Sequence, residues 1–278
     1  LENDTKNKIG CYLCKNVFGT VVALKDEMRF RCFGVEKVII KCSRCGLVQL
    51  IPQWTERELD CLYSAYWKKE DFKGQKRKVK IAKYLPKYLR RGDCILEVGN
   101  GWGDNIKYLR GKGYWVVGID KDQQLKGEIK ADVFSYKADR KFDFIYSLHF
   151  LEHLPDPLRF IRWMEDNLAE GGRWLIEIPS LNNPLLKLKS FRKFYWYPYH
   201  LFFFSKSTIQ MMLPDAKAKL VQEYGIINHL RWLLRGKPGN WNPHIPLIDD
   251  IYKWIITKKG YGDTLIVTGN VKTREILS

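Results

Sequence analysis

The chain has 278 residues, enough for one large domain or two modest ones. A hydrophobic fraction of 45% excludes a disordered chain, and no stretch nears the run of about 18 apolar residues that spans a membrane. Lys plus Arg number 48 against 31 Asp plus Glu, a net charge of +17. The charge is unevenly placed: +10 over residues 1–90, −2 over 91–180 and +9 over 181–278. The basic flanks are read either as aids to solubility or as surfaces that meet an anion. Residues 1–10 are polar and charged, without the apolar core of a secretory signal. That predicts a cytoplasmic protein whose seven cysteines are thiols or metal ligands rather than disulfides.

Residues 9–52 are short, β-leaning and cysteine-bearing. Cys11-Tyr-Leu-Cys14 and Cys42-Ser-Arg-Cys45 are two C-x-x-C units with 27 residues between them. Each unit can turn two thiolates toward one ion, and two units supply the tetrahedron of sulfurs that suits zinc. The intervening residues have room for a hairpin, Val17 to Leu24 against Val35 to Lys41. The competing readings are a redox C-x-x-C and thiols that merely pack. Four cysteines close a site to water, so such a zinc is structural. Cys32, Cys61 and Cys94 are read as plain buried thiols.

Two helical segments follow, one opening at Glu56 and one over Gln75 to Tyr88, where Val79, Ala82, Leu85 and Leu89 recur at helical spacing. From residue 94 strands and helices alternate. Cys94 to Val98, Trp115 to Asp120, Phe142 to Ser147 and Arg173 to Ile178 read as strands. Asn105 to Arg110 and Pro157 to Leu168 read as helices, the second ended by Gly171-Gly172. Alternation of this kind predicts an α/β fold with a mainly parallel sheet and right-handed crossovers. Lys219 to Tyr224 and Thr264 to Gly269 read as the last two strands, with a helical, basic and aromatic insertion over 228–260 between them.

Glu97-Val-Gly99-Asn-Gly101-Trp-Gly103 follows a strand and opens a helix, the place where parallel sheets bind nucleotide-type ligands. The loop has no P-loop lysine, and Glu97 would repel a pyrophosphate. Asp120 ends the next strand, 17 residues past Gly103, where a carboxylate can accept both hydrogen bonds of a ribose diol. An adenosine bearing a positive charge fits these residues better than a phosphate.

Four ordered segments, ILEVGNGWGDNIKYL, GYWVVGID, KFDFIYSLHFLEHLPDP and GGRWLIEIP, resemble class I S-adenosylmethionine-dependent methyltransferases over residues 94–180. The resemblance implies a Rossmann-like fold, a mainly parallel seven-stranded sheet with an antiparallel last strand. It implies S-adenosylmethionine as cofactor, held by Glu97, Gly99, Gly101, Gly103, Asp120 and Asp132, with Ser147, Leu148 and His149 lining its floor. CSRCGLVQLIPQWTERELDCLYSAYW and YPYHLFFFSKSTIQMML resemble a subgroup with an N-terminal zinc ribbon found with sugar and glycan biosynthesis. In its sugar C-methyltransferases an acid–His pair is catalytic; His200 matches the histidine, and Tyr199 stands where the acid would be. The expected domains are a zinc ribbon over 1–52 with Cys11, Cys14, Cys42 and Cys45 as ligands, a helical linker over 53–90, and a methyltransferase domain over 91–278. Its substrate-side insertions would fall near 181–215 and 228–260.

Methyl transfer to a hydroxyl needs alignment, exclusion of water and a base. His200 and then His153 are the catalytic candidates; packing for either, and helix capping for His153, are the alternatives. Around residue 200 rings and cations interleave, with Phe191, Trp196, Phe202 and Phe204 near Lys187, Lys189, Arg192 and Lys193. That mixture suits a sugar bearing phosphate, single-stranded RNA or an anionic lipid surface, while some of the rings belong to the core. Three functions stay open. The first is methylation of a nucleotide- or lipid-linked sugar, at oxygen in preference to carbon. The second is RNA methylation with the ribbon and basic flanks gripping RNA. The third is a non-catalytic zinc-ribbon module with a vestigial cofactor fold.

Overall fold

The computed structural model describes residues 10–16, 19–23, 37–67, 85–122, 128–187, 191, 195–196, 199–227, 229–230 and 245–271. The chain divides into two compact units, residues 1–69, 178–214 and 218–266 in the first and residues 70–177, 215–217 and 267–278 in the second.

Three strands open the first unit: β1 (Gly19–Ala23), β2 (Val38–Cys42) and β3 (Val48–Ile51). The expected hairpin forms, with Gly19 opposite Cys42 and Thr20 opposite Lys41, and β3 continues the antiparallel sheet. Its fourth strand is β9 (Phe202–Phe203), brought from far along the chain to pair Val48 with Phe203. Burial explains the pairing: Ile39, Leu50, Leu201 and Phe202 lose all their exposure, and the Leu50 N–H donates to the Leu201 carbonyl at 2.9 Å. The helix expected at Glu56 is α1 (Glu56–Trp67). Thr55 and Glu58 cap it reciprocally, each backbone N–H donating to the other's side chain.

In the second unit β4 (Cys94–Val98) lies between β5 (Trp115–Asp120) and β7 (Phe142–Leu148), parallel to both. β6 (Ile129–Lys130) extends β5, and β8 (Leu168–Pro179) extends β7, again in parallel. Ile95, Leu96, Ile145 and Tyr146 are wholly buried, as expected of central parallel strands covered on both faces. α2 (Asp104–Gly111) and α3 (Pro157–Asn167) are the crossover helices. α3 begins where Asp156 accepts the Arg159 N–H and Pro157 fills the first turn.

Gly171-Gly172 does not end that helix. α3 stops at Asn167, and Leu168 is already extended opposite Phe142. The register then jumps from Leu168 to Arg173 as the partner moves only from Phe142 to Phe144, so the glycines sit in a bulge inside β8. Asp93 fixes the neighbouring turn: its Oδ2 accepts from Arg173 Nη2 at 2.8 Å and from the Arg90 N–H at 2.7 Å.

α4 (Lys206–Met212), β10 (Lys217–Val221), α5 (Pro246–Lys258) and β11 (Thr264–Asn270) complete the described elements. The seven-stranded sheet runs β10-β11-β8-β7-β4-β5-β6. Ser180 bonds Asp263 while Gly172 bonds Val271; partner numbers fall on one strand as they rise on the other, so β11 is antiparallel to β8. The segment 75–84 of the second expected helix lies outside the described residues, as do Cys32, Lys189, Arg192 and Lys193. No described helix is long and apolar enough to cross a membrane.

Candidate active site and cysteine cluster

The loop after β4 takes its shape from three glycines. Gly99, Gly101 and Gly103 have φ of 75°, 49° and 68°, the left-handed region that other residues enter at a cost. This is the physical content of the G-x-G-x-G spacing: each alternate residue turns the chain back, and the last opens α2. Asp120 closes the loop from the next strand. Its Oδ2 accepts the Gly101 N–H at 2.8 Å and its Oδ1 the Asp122 N–H at 2.9 Å. Burial raises the Asp120 pKa, and those two N–H groups oppose the rise.

Glu97 lies one strand inward, 2% exposed. Its Oε1 accepts from Asn105 Nδ2 at 2.9 Å. Its Oε2 and the hydroxyl of Tyr146, its register neighbour on β7, are buried without a hydrogen bond of good geometry. Burial pushes the Glu97 carboxyl up to about 8, against the Asn105 hydrogen bond. Ser147 Oγ is likewise buried with no partner. The buried Oε2 is left for a ligand's donor or cation, so the loop, Asp120 and Glu97 fit a cationic adenosine ligand better than a pyrophosphate. Asp132 is exposed just after β6, its Oδ1 accepting the Phe134 N–H at 2.8 Å.

At the end of β7 a second cluster forms. His149 continues the ladder, its N–H donating to the Glu177 carbonyl at 2.8 Å, and then turns at φ 50°. A non-glycine residue in this region is strained, and such strain is concentrated at functional turns. The turn sets the imidazole over two buried carboxylates. Nε2 lies 3.1 Å from Glu177 Oε1 and Nδ1 lies 3.6 Å from Glu152 Oε1. The ring is 43% exposed, while Glu152 and Glu177 are at most 2% exposed, so one side of the imidazole faces outward. His153 Nε2 stands 3.8 Å from Glu152 Oε1 on the same turn. Glu152 and Glu177 were not singled out in the sequence. The available signal was an acid inside the apolar run Trp174-Leu-Ile-Glu-Ile178, matching Glu97 inside Cys94-Ile-Leu-Glu-Val98.

His200 belongs to the first unit. It is 8% exposed, and its ring meets Tyr199 at 5.4 Å and Phe203 at 5.8 Å. Phe202 and Phe204 are core residues, stacked at 6.0 Å.

The first unit also gathers Cys11, Cys14, Cys42 and Cys45, whose sulfurs all lie within 4.8 Å of one another. The two turns that carry them are built alike. The Lys15 N–H donates to the Cys11 carbonyl and the Gly46 N–H to the Cys42 carbonyl, at 2.9 and 3.0 Å. The Cys11 N–H donates to Asn16 and the Cys42 N–H to Leu47, both at 2.8 Å. Lys15 and Gly46 have φ of 60° and 73°. Buried Gln49 ties the first turn to β3, accepting the Tyr12 N–H and donating to the Gly10 carbonyl. Tetrahedral zinc with sulfur ligands at about 2.3 Å has sulfur–sulfur edges of about 3.8 Å. The Cys11–Cys45 and Cys14–Cys42 separations of 3.4 and 3.5 Å are close to that, so the four residues fit the ion.

A family model described as a methyltransferase domain matches residues 71–223, more than half of the chain. A solved S-adenosylmethionine-dependent methyltransferase from Archaeoglobus fulgidus is 20% identical, covering 69% of this chain and 91% of its own, with a TM-score of 0.47. One from Thermotoga maritima, described as a possible histamine N-methyltransferase, is 17% identical, covering 70% and 89%, with a TM-score of 0.48. No curated protein matches the chain.

Proposed function

The chain belongs to the methyltransferase-domain family, and we propose that it uses S-adenosylmethionine to methylate a hydroxyl of an anionic acceptor, a nucleotide-linked or lipid-linked sugar. The observation that carries the hydroxyl chemistry is His149 seated on Glu177 and Glu152 beside the glycine loop's strand. The basic flanks support an acceptor that bears phosphate.

Gly99, Gly101, Gly103 and Asp120 would hold the cofactor's nucleoside and amino-acid ends, with Glu97 opposite its positive charge and Ser147 and Leu148 beneath it. Bound there, S-adenosylmethionine supplies an electrophilic methyl on sulfur. Glu177 orients the imidazole through Nε2 at 3.1 Å, and Nδ1, held more loosely at 3.6 Å from Glu152, is the nitrogen that would take the acceptor's hydroxyl proton. Glu152 and Glu177 then stabilise the imidazolium, as a buried carboxylate does in other histidine-based dyads. His153, against Glu152, and His200 are the further catalytic candidates. Cys11, Cys14, Cys42 and Cys45 would hold a structural zinc, closed to water and remote in role from the transfer step. The predicted compartment is the cytoplasm.

The test is transfer of labelled methyl from S-adenosylmethionine to separate pools of nucleotide sugars, lipid-linked sugars and RNA. Label in a sugar pool, lost in His149→Ala, is the expected result. Label in RNA with steep salt dependence of binding would move the acceptor to nucleic acid. Absence of S-adenosylmethionine binding by calorimetry would end the enzymatic reading.

A further inference from the structure

α5 (Pro246–Lys258) is built inside out. A helix on a protein surface normally buries its apolar stripe and shows its polar face. Here the buried residue is Asp249, 1% exposed, whose two oxygens accept the Ile226 and Ile245 N–H groups at 3.1 Å. On the same inward side the Tyr252 hydroxyl bonds His229 Nδ1, and Gly225 packs so closely that a Cβ there would lie 2.2 Å from Asp249 Oδ1. The opposite side carries Leu247, Ile248, Ile251, Trp254 and Ile255, from 39% to 72% exposed. Their spacing of i, i+1, i+4, i+7 and i+8 puts all five on one stripe. The polar anchors fix the rotation of the helix, so this stripe is held outward.

Cations frame the stripe. A cleft of about 910 Å³ runs beside the helix, lined by Lys206, Lys219, Lys253 and Lys258 with Asn182 and Trp254. The Lys258 ammonium lies 5.8 Å from the Trp254 ring centre, and Lys259 follows at the exposed C-terminal end. Against these, the one exposed acid on the helix is Asp250. A contiguous apolar face marks a surface that meets something else. Leu, Ile and Trp on one side with lysines at the rim is the pattern of a helix lying in the headgroup boundary of an anionic bilayer.

We propose that the outward face of α5, with the lysine-lined cleft beside it, seats this protein on an anionic lipid bilayer. The apolar stripe enters the acyl boundary while Lys206, Lys219, Lys253 and Lys258 meet headgroup phosphates. This goes beyond the acceptor reading, because it holds whichever hydroxyl is methylated.

The test is flotation of the full chain with vesicles of phosphatidylcholine alone or mixed with phosphatidylserine. The wild type is expected to float with the mixed vesicles and to be released as salt rises. Ile251→Ser with Trp254→Ser should weaken that binding at least about tenfold, as expected for loss of two buried apolar anchors. Lys253→Gln with Lys258→Gln should remove the preference for phosphatidylserine. Ile251, Trp254 and Lys258 are exposed and Lys253 is half-buried at the cleft, so the melting temperature and S-adenosylmethionine affinity should be little changed. Loss of cofactor binding would concern the methyltransferase reading and leave this one standing. Wild-type protein that never floats overturns the proposal, as does equal flotation of the serine variant. A wild-type dimer that the serine variant dissociates, with no flotation, would assign the face to a second copy of the chain.

Discussion

Glu177 Oε1 lies 3.1 Å from His149 Nε2, and the His149 N–H bonds the carbonyl of the same glutamate. One residue of β8 thus fixes both the backbone and the ring of the residue that follows β7. If the pair deprotonates an acceptor, His149→Ala should lower kcat by about 10² to 10⁴-fold, the usual worth of a general base, with little change in cofactor affinity. Glu177→Gln keeps the shape and removes the charge, so it should lower kcat less and shift the pH–rate profile. A His149→Ala enzyme with wild-type kcat would return His153 and His200 to first place.

Glu97 makes cofactor binding and stability depend on pH in opposite senses. Its folded pKa of about 8 is above the ordinary 4.5, so the folded chain holds this proton more tightly than the unfolded chain. The resulting stabilisation is complete below pH 4.5 and is lost as pH rises to about 8. The slope from this one group is at most about 1.4 kcal/mol per pH unit. Thermal melts of Glu97→Gln should lack it. A cation beside the carboxylate favours ionisation, so S-adenosylmethionine should bind more tightly as pH rises through about 8. Titration calorimetry across that range, with Glu97→Gln showing a flat profile, checks the assignment.

Asp120 acts on the loop as well as on any diol. Replacing it with Ala removes the acceptor for the Gly101 N–H together with the proposed ribose contacts. Charge-assisted hydrogen bonds contribute about 1.5–3 kcal/mol each, so the dissociation constant for S-adenosylmethionine should rise at least about thirtyfold. Asp120→Asn, which can still accept from Gly101, should fall between the two. Equal affinity in all three proteins would remove Asp120 from the site.

The cysteine cluster predicts one zinc per chain by elemental analysis. Binding of structural zinc is on the order of 10 kcal/mol of folding free energy. Chelation or Cys42→Ser should therefore unfold the β1–β2–β3 sheet, followed as a loss of protection of the β2 amides in hydrogen exchange. Protection that survives metal removal would mean that the four thiols only pack.

The residue pattern was sufficient for features that depend on the local chain. A left-handed φ at alternate positions demands Gly99, Gly101 and Gly103. A pair of thiols three positions apart demands a tight turn, and α3 starts at Asp156-Pro157 because a cap and a first-turn proline act within four residues. The order of strands and helices from residue 94 onward follows from the same local periodicity. What tertiary structure decided was everything set by register and by facing. Leu148 opposite Glu177 is a pairing between residues far apart in sequence, and it brings the Glu177 carboxylate under His149, beside the Glu152 carboxylate that the local turn supplies. The bulge at Gly171-Gly172 arises because Leu168 gains a strand partner that a helix would deny it. Val48 and Phe203 meet across more than half the chain. In α5, periodicity reveals a stripe of Leu, Ile and Trp, which by itself reads as a core face. Only the hydrogen bonds of Asp249 and Tyr252 turn that stripe outward, because helical spacing tells which residues share a side and leaves open which side meets the protein.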